Sequence, residues 1–475
     1  MVSHAGIAQR SRAARRPRPA PGVLLAAGDA LACLVGFGAA TAAFLAAIQA
    51  MGVAPPDLDE LLVRRSAHFA VFVPPILLWF ASRGHYRRGL PFWTEAQQIG
   101  LAVTAAALLD GFSQYASHTL YSRPWLIAGW AASGAFLLAG RVGLKHAMLR
   151  AGVWAMPTVI VGTGRTAREA AAALNSERLL GYRVVGHVEV PAEGPPPRAD
   201  DLVVGREPRF VVLALDAVEL ARAEPLIGEL HRRGVSFAVV PPLTGLSVLN
   251  LHARGFFSHD TVLLTAPNNL ARLHARLLKR GFDVAASAAL LVALAPLFAV
   301  LALLVRRDGG PVLYGQRRIG RGGRPIVCLK FRTMVVDADA VLAEVLARDP
   351  AAREEWEKDH KLKDDPRVTR VGRVLRATSL DELPQLWNVL RGEMSLVGPR
   401  PIVAAEVPKF GDDIAFYYEV DPGITGLWQV SGRNELDYDR RVRLNTWYVR
   451  NWSLWHDVAI LVKTVRVVLA RDGAY

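Results

Sequence analysis

The sequence predicts a membrane protein with an N-terminal four-helix transmembrane bundle followed by two α/β regions. Three observations lead there. Of the 475 residues, 52% are hydrophobic and mean hydropathy is +0.21, a membrane composition rather than a soluble one. Four apolar runs precede residue 150, each near the ~20 residues that cross a bilayer. Beyond them, short apolar strands alternate with helical patterns, as α/β regions do.

The length allows two or three domains. Lys and Arg number 57 against 43 Asp and Glu, for a net charge of +14. That charge fits nucleic acid, an anionic membrane surface or a phosphorylated substrate. The apolar spans, and the lack of any nucleic-acid motif, favour the latter two and no nucleic acid. Cys33 lies in an apolar run and Cys328 far from it. They make neither a disulfide framework nor a zinc spacing, and fit reactive parts in a reducing cytoplasm. Twelve scattered histidines without HExxH spacing argue against a His-ligated metal.

Residues 1–20 form a basic tail with Arg10, Arg12, Arg15, Arg16 and Arg18. The apolar run at 22–50 is too long for a signal-peptide core and lacks a cleavage site, so the tail reads as cytoplasmic. The bundle occupies 21–150, with spans at 22–50, 66–82, 97–117 and 124–141. Arg83, Arg87 and Arg88 follow the second span, and Arg141, Lys145 and Arg150 the fourth. Asp57, Asp59 and Glu60 lie in the first loop, offset by Arg64 and Arg65. The positive-inside rule then puts both ends of the bundle in the cytoplasm. Asp29 and Asp110 fall inside spans, where an acid is either functional or a packing device.

Residues 151–265 read as the first α/β domain. The strand Thr158–Val161 runs into Gly162-Thr163-Gly164-Arg165-Thr166-Ala167 and an alanine-rich helix. Strands near 183–190, 210–215 and 236–240 follow, around a Pro/Gly-rich link at 191–197. GxGxxA after a strand is the dinucleotide fingerprint, with Glu189 near the acidic position. A lone match of this kind is a weak signal and leaves open whether the module binds a cofactor. A membrane-anchored nucleotide-sugar dehydratase or epimerase would combine the same parts, but it needs Tyr-x-x-x-Lys. Here Tyr314 is followed by Arg318 at that spacing and Tyr448 by Trp452.

The chemistry concentrates in 378–401, TSLDELPQLWNVLRGEMSLVGPRP. Asp381 and Glu382 open a helical pattern whose apolar face is Leu383, Leu386, Trp387 and Leu390, with Gly392 as its stop. Ser379 and Glu382 fit a capping box, the ordinary structural reading. Pro384 conflicts with a cap at Ser379, so the helix starts later or bends. Arg370, Arg373 and Arg376 lie upstream, and Arg400 stands between Pro399 and Pro401. A helix N-terminus ringed by arginines attracts phosphate.

These residues, with KFRTM at 330–334, the wider run 364–401 and DPGITGLWQVSGR at 421–433, closely resemble the bacterial sugar transferase family. That family comprises the monotopic phosphoglycosyl transferases, and the resemblance covers about 270–475. It implies a Rossmann-like accessory domain at 151–265 and a C-terminal α/β transferase domain at 266–475 with a re-entrant helix at 281–305. Ala285–Val305 carries no charge, is flanked by Lys279, Arg280, Arg306 and Arg307, and has Pro296 at its centre. A helix broken there that leaves by the leaflet it entered fits these features. The basic amphipathic stretch 268–280 suits a membrane interface.

The resemblance further implies transfer of a hexose-1-phosphate from a UDP-sugar to undecaprenyl phosphate, starting exopolysaccharide, capsule or O-antigen synthesis. Asp381 would be the nucleophile and Glu382 its catalytic neighbour, both near Mg²⁺, with Glu382 the preferred ligand. Lys330 and Arg332 would share a strand face near the phosphates. Arg376 and Arg400 would hold the diphosphate and uridine, Arg400 stiffened by Pro399 and Pro401. The partners implied are the donor, the lipid carrier, membrane lipids and a second copy in a homodimer, with the active site at the cytoplasmic face of the inner membrane. Arginines interleaved with Trp447, Tyr448, Trp452 and Trp455 read as an interfacial membrane contact. A non-catalytic scaffold of a polysaccharide system is the alternative. No residue names the sugar.

Overall fold

The computed structural model describes residues 21–470 except 53–57, 88, 119–121, 192, 194–196, 203–209, 242–250, 257–258, 266–269, 271, 308, 360–361, 363–364 and 433–435. The basic tail, Asp57, Arg88 and part of the 191–197 link lie outside the described residues. The chain divides into two compact units, one ending at Leu243 and the other beginning at Thr244.

The first unit opens with α1 (Pro21–Ala50), α2 (Leu58–Ser82), α3 (Phe92–Ala116) and α4 (Arg123–Arg150). Among the described residues, α1, α2 and α4 are each long and apolar enough to cross a membrane. The α3 helix is not in that group, yet it turns Leu101, Leu108, Leu109 and Phe112 outward. The four helices pack around Phe37, Phe69, Trp125 and Trp130. Phe37 stacks on Phe69 at 4.2 Å, and Phe44 on Trp125 at 4.8 Å.

Against lipid, apolar burial gives helices little reason to meet, so packing and polar bonds choose the partners. Buried Asp110 on α3 accepts from Arg65 of α2 at 3.2 and 2.8 Å, and from Trp130 Nε1 of α4 at 2.7 Å. Asp29 of α1 accepts from Arg141 of α4 at 2.8 and 2.6 Å. Glu95 of α3 takes Arg141 at 2.9 Å and Lys145 at 2.8 Å. Both acids that the sequence places inside spans, Asp29 and Asp110, are therefore held in ion pairs between helices. The sequence count of loop charges is corrected as well. Arg65, Arg141 and Lys145 are buried in these pairs, so they are not free cations of the loops.

A four-stranded parallel sheet completes the unit, in the order β2-β1-β3-β4. Its strands are β1 (Met156–Val161), β2 (Tyr182–Val188), β3 (Phe210–Leu213) and β4 (Ser236–Val239). The helix α5 (Arg165–Ser176) connects β1 to β2, and α6 (Ala217–Arg222) and α7 (Glu224–Arg232) connect β3 to β4. Val159, Val161, Val211, Leu213, Leu226 and Leu230 form the core between sheet and helices. Gly162 has φ +116°, and a Cβ there would lie 2.3 Å from the Ala214 carbonyl, so the turn after β1 requires glycine.

The second unit starts with an antiparallel hairpin, β5 (His252–Phe256) and β6 (His259–Thr265). The sequence boundary at 265 had assigned it to the preceding domain. Next come α8 (Leu273–Ala293) and α9 (Ala295–Arg306), bent by 65°. The break falls at Leu294, two residues before Pro296, which occupies the first turn of α9 where its missing N–H costs nothing.

A hairpin of β7 (Leu313–Ile319) and β8 (Pro325–Phe331) follows, then α10 (Ala338–Arg348), α11 (Pro350–Asp359), α12 (Arg370–Thr378) and α13 (Gln385–Arg391). The parallel pair β9 (Ser395–Val397) and β10 (Gly423–Thr425) flanks α14 (Ile414–Glu419). The helices α15 (Tyr438–Arg450) and α16 (Leu454–Ala470) end the described chain.

A buried polar cluster ties α8 to this core. Asp457 of α16 accepts from Lys279 of α8 at 2.8 Å, from Tyr448 at 2.7 Å and from Trp452 at 3.1 Å. Lys279 also donates to the Val397 carbonyl at 3.0 Å, and the Tyr448 hydroxyl oxygen lies 2.9 Å from that carbonyl. Tyr448 and Trp452 are 2% and 3% exposed, so these two aromatics serve the core and not a membrane interface. Trp447 and Trp455 are half-buried.

Candidate active site

The dyad does not begin an α-helix. The α12 helix ends at Thr378, and Ser379 takes the left-handed conformation at φ +56°. Leu380–Glu382 is a short 3-10 turn without a side-chain cap from Ser379. Pro384 then serves as N-cap of α13. The capping box is thereby corrected, because proline moved the helix start to Gln385. Gly392, with φ +81°, ends α13 as its sequence position predicts.

Asn388 fixes this turn against the hairpin. Its amide accepts from Leu329 N at 3.0 Å and donates to the Val327 carbonyl at 2.7 Å. The turn thus lies beside β8, where Lys330 Nζ reaches Glu382 at 2.7 Å and Asp381 at 3.8 Å. A small, open cleft lies there. Hairpin residues Gln316, Arg318, Cys328 and Lys330 line it with Glu382, Gln385, Arg400, Pro401 and Gln429. Asp381 stands at its edge, bridged to it by Lys330.

Burial holds Asp381 above the usual carboxylate range. Lys330 opposes this, Glu382 reinforces it and Arg376 opposes it. Glu382 lies below its usual range: burial works against ionisation, but Lys330, Arg400 and Arg318 outweigh it. The two adjacent carboxylates are thus shifted in opposite directions, Asp381 up and Glu382 down. Pro399 and Pro401 are buried while Arg400 between them is exposed. Its guanidinium lies 5.9 Å from the Trp428 ring, which also has Arg441 at 5.0 Å. The Pro399 carbonyl accepts from Gly423 N at 2.8 Å. Gly423 passes so close to Gly398 that a Cβ would fall 2.1 Å from its nitrogen.

Lys330, Glu382, Arg400 and Pro401 are brought together at the cleft, with Asp381 beside them. Arg376 is near, its Nε on Thr333 Oγ1 at 2.9 Å. Arg332 is not brought to the cleft. It lies past the end of β8 and donates to the carbonyls of Pro311 at 2.7 Å, Met334 at 3.1 Å and Val305 at 3.2 Å. It caps the C-terminus of α9 rather than facing a phosphate. Arg318 was missed as a site residue. Register shows it: Tyr314, Gln316 and Arg318 share the face of Lys330, Cys328 and Ile326 across the hairpin.

The accessory sheet offers a different loop. Asp216, at the N-cap of α6, accepts from Thr166 Oγ1 at 2.9 Å. Its Oδ2 lies 3.0 Å from where a Cβ on Gly164 would stand. The position that a pyrophosphate takes in a dinucleotide turn faces a carboxylate, which does not fit an anion. Glu189 follows β2 and is exposed.

Residues 274–471 match the family described as Bacterial sugar transferase, and residues 81–207 match the CoA-binding domain. The undecaprenyl-phosphate galactose phosphotransferase of Salmonella typhimurium is 42% identical over 88% of this chain and 90% of its own. The UDP-galactose-lipid carrier transferase of Erwinia amylovora is 40% identical over the same shares. The UDP-glucose:undecaprenyl-phosphate glucose-1-phosphate transferase of Caulobacter vibrioides is 42% identical over 43% of this chain and 75% of its own. Likeness over nearly the full length of such relatives, with the dyad, the lysine and the proline-flanked arginine at one cleft, places this chain in the bacterial sugar transferase family.

Proposed function

We propose that the second unit transfers a hexose-1-phosphate from a UDP-sugar to undecaprenyl phosphate by double displacement at Asp381. The observation that carries the reading is the meeting of Asp381 and Glu382 with Lys330, at 3.8 and 2.7 Å, beside a cleft lined by Arg318 and Arg400. A carboxylate is a weak nucleophile, and a raised pKa makes its ionised form a better one. An Asp381 oxygen attacks the β-phosphorus, forming an acyl phosphate as the phosphoanhydride bond breaks and UMP departs. An oxygen of the lipid phosphate then attacks the same phosphorus, and the Asp381 carboxylate leaves. Lys330, Arg318 and Arg400 neutralise the diphosphate and orient it, which is most of what phosphoryl transfer requires.

Two carboxylates fit Mg²⁺, which takes one or two of them and completes its shell with water and phosphate. Glu382, with Asp381, would hold it. When bound, the ion supplies charge neutralisation on phosphate oxygens. The bent α8–α9 pair reads as a re-entrant helix, since polar α8 residues Lys279 and Asp283 are buried in the second unit's core. It would keep the cleft at the cytoplasmic face, where the polyprenyl phosphate head lies. All four N-terminal helices would cross, α3 through its outward leucines.

The test is UMP release by the purified protein with undecaprenyl phosphate, Mg²⁺ and a panel of UDP-sugars. Release with one sugar, abolished by Asp381→Asn, supports the reading and names the donor. Absence of release with every sugar favours the scaffold.

A further inference from the structure

One cleft residue has a polar atom with nothing to bind. Gln429 sits on the 3-10 turn Trp428–Val430, with its backbone N–H on the Gly426 carbonyl at 3.1 Å. Its side-chain Nε2 donates to the Ile424 carbonyl at 3.3 Å. Its Oε1 is buried and has no hydrogen-bond partner. The amide cannot be turned round without facing Oε1 to the Ile424 carbonyl, so the bond to Ile424 fixes which atom is left over. Oε1 lies 3.2 Å from where a Cβ on Gly426 would stand, and the Gly398 carbonyl oxygen is 2.3 Å from the same point. Buried acceptors without partners are rare in folded proteins, and Gln429 is among the residues that line the cleft.

Charge defines what the ligand group is. The cleft already supplies Lys330, Arg318 and Arg400 for phosphate oxygens. A carbonyl acceptor repels such oxygens and takes only a group with a hydrogen to give. We propose that Gln429 is a specificity-determining residue that accepts a hydrogen bond from a neutral donor group of the nucleotide-sugar, a sugar hydroxyl or the uracil imide N–H. This rests on the transferase reading above. A site that accepts from such a group rejects analogues lacking it far more strongly than an apolar wall could, because the acceptor is then left unpaired.

The experiment compares intact wild type with Gln429→Leu and Gln429→Met, the second being close in shape and chosen in case the first fails to fold. Three donors are used: the UDP-sugar, its N3-methyluracil analogue and a set of deoxy-sugar analogues. Wild type should discriminate against one class of analogue, and the variants should lose roughly 10- to 100-fold in kcat/KM for the parent donor only. The variants would then treat parent and analogue alike. UMP inhibition separates the two sources, weakening in the variants if uracil is the donor and staying unchanged if the sugar is. Equal losses for parent and every analogue, or no loss at all, would overturn the proposal by showing a structural role or none. Equilibrium binding of the same donors reads the discrimination without turnover. A protein that binds with this discrimination but releases no UMP contradicts transfer and leaves Gln429 standing.

Discussion

Two loops in this chain carry motifs associated with phosphate, and the charge placed on each sets them apart. After β1, the turn Gly162-Thr163-Gly164 has the backbone of a dinucleotide loop, but the Asp216 carboxylate occupies its mouth. At the cleft there is no such glycine turn and no long helix behind the dyad. Three cations line it instead, and their field holds Glu382 anionic. On the proposed reading, loop shape alone does not make a phosphate site. The charge that faces the ligand decides, and it comes from residues distant in sequence.

The comparison breaks most visibly at the cleft. Asp381→Asn should lower UMP release by roughly 10³-fold or more, as loss of a nucleophile does. The same variant should be more stable, not less. A carboxylate raised by folding destabilises the native state once ionised, at pH above its unfolded value, and asparagine removes that cost. A rise in Tm on the order of 2 °C at neutral pH, absent below the carboxylate range, would show it. Glu382→Gln should do the reverse. Its depressed pKa contributes stability above the unfolded value that is lost as pH falls through the folded one.

Lys330→Met comes next, with a loss of roughly 10²-fold. Lys330 pulls Asp381 down, so its removal should move the acid limb of the pH–rate profile to higher pH. An unmoved limb would detach Lys330 from the nucleophile. At the other loop, Asp216→Ser should create weak binding of a dinucleotide or coenzyme A that wild type lacks, measurable by calorimetry. Tight binding to wild type would undo the contrast. The smallest effect belongs to Ser379→Gly. Relief of the left-handed strain should stabilise the protein by about 1 kcal/mol, while a looser turn lowers kcat a few-fold.

Much of this was legible in the sequence, and the failures have identifiable causes. The four N-terminal helices, the strand-turn-helix at Gly162 and the stop at Gly392 follow from local pattern, and local pattern was enough. Alternation puts Arg332 on the face of Lys330, and the resemblance puts both near the phosphates, but β8 ends at Phe331 and the alternation ends with it. Arg318 was overlooked since its place depends on pairing with a strand not yet placed. Tyr448 and Trp452 read as interfacial in the sequence, but both donate to buried Asp457, which also pairs with Lys279 from far away in the chain. Arg65, Arg141 and Lys145 were counted with the loops for the same reason, since only tertiary structure supplies their acidic partners.

The central claim is that Asp381 carries the phosphosugar between two displacements. Incubation of the protein with a UDP-sugar and labelled UMP, without any lipid phosphate, tests it most directly. The account predicts that label enters the UDP-sugar in wild type and not in Asp381→Asn, because the first displacement is reversible by itself. Full transfer to lipid with no exchange in its absence would contradict it, and would mean that the lipid phosphate attacks the donor directly.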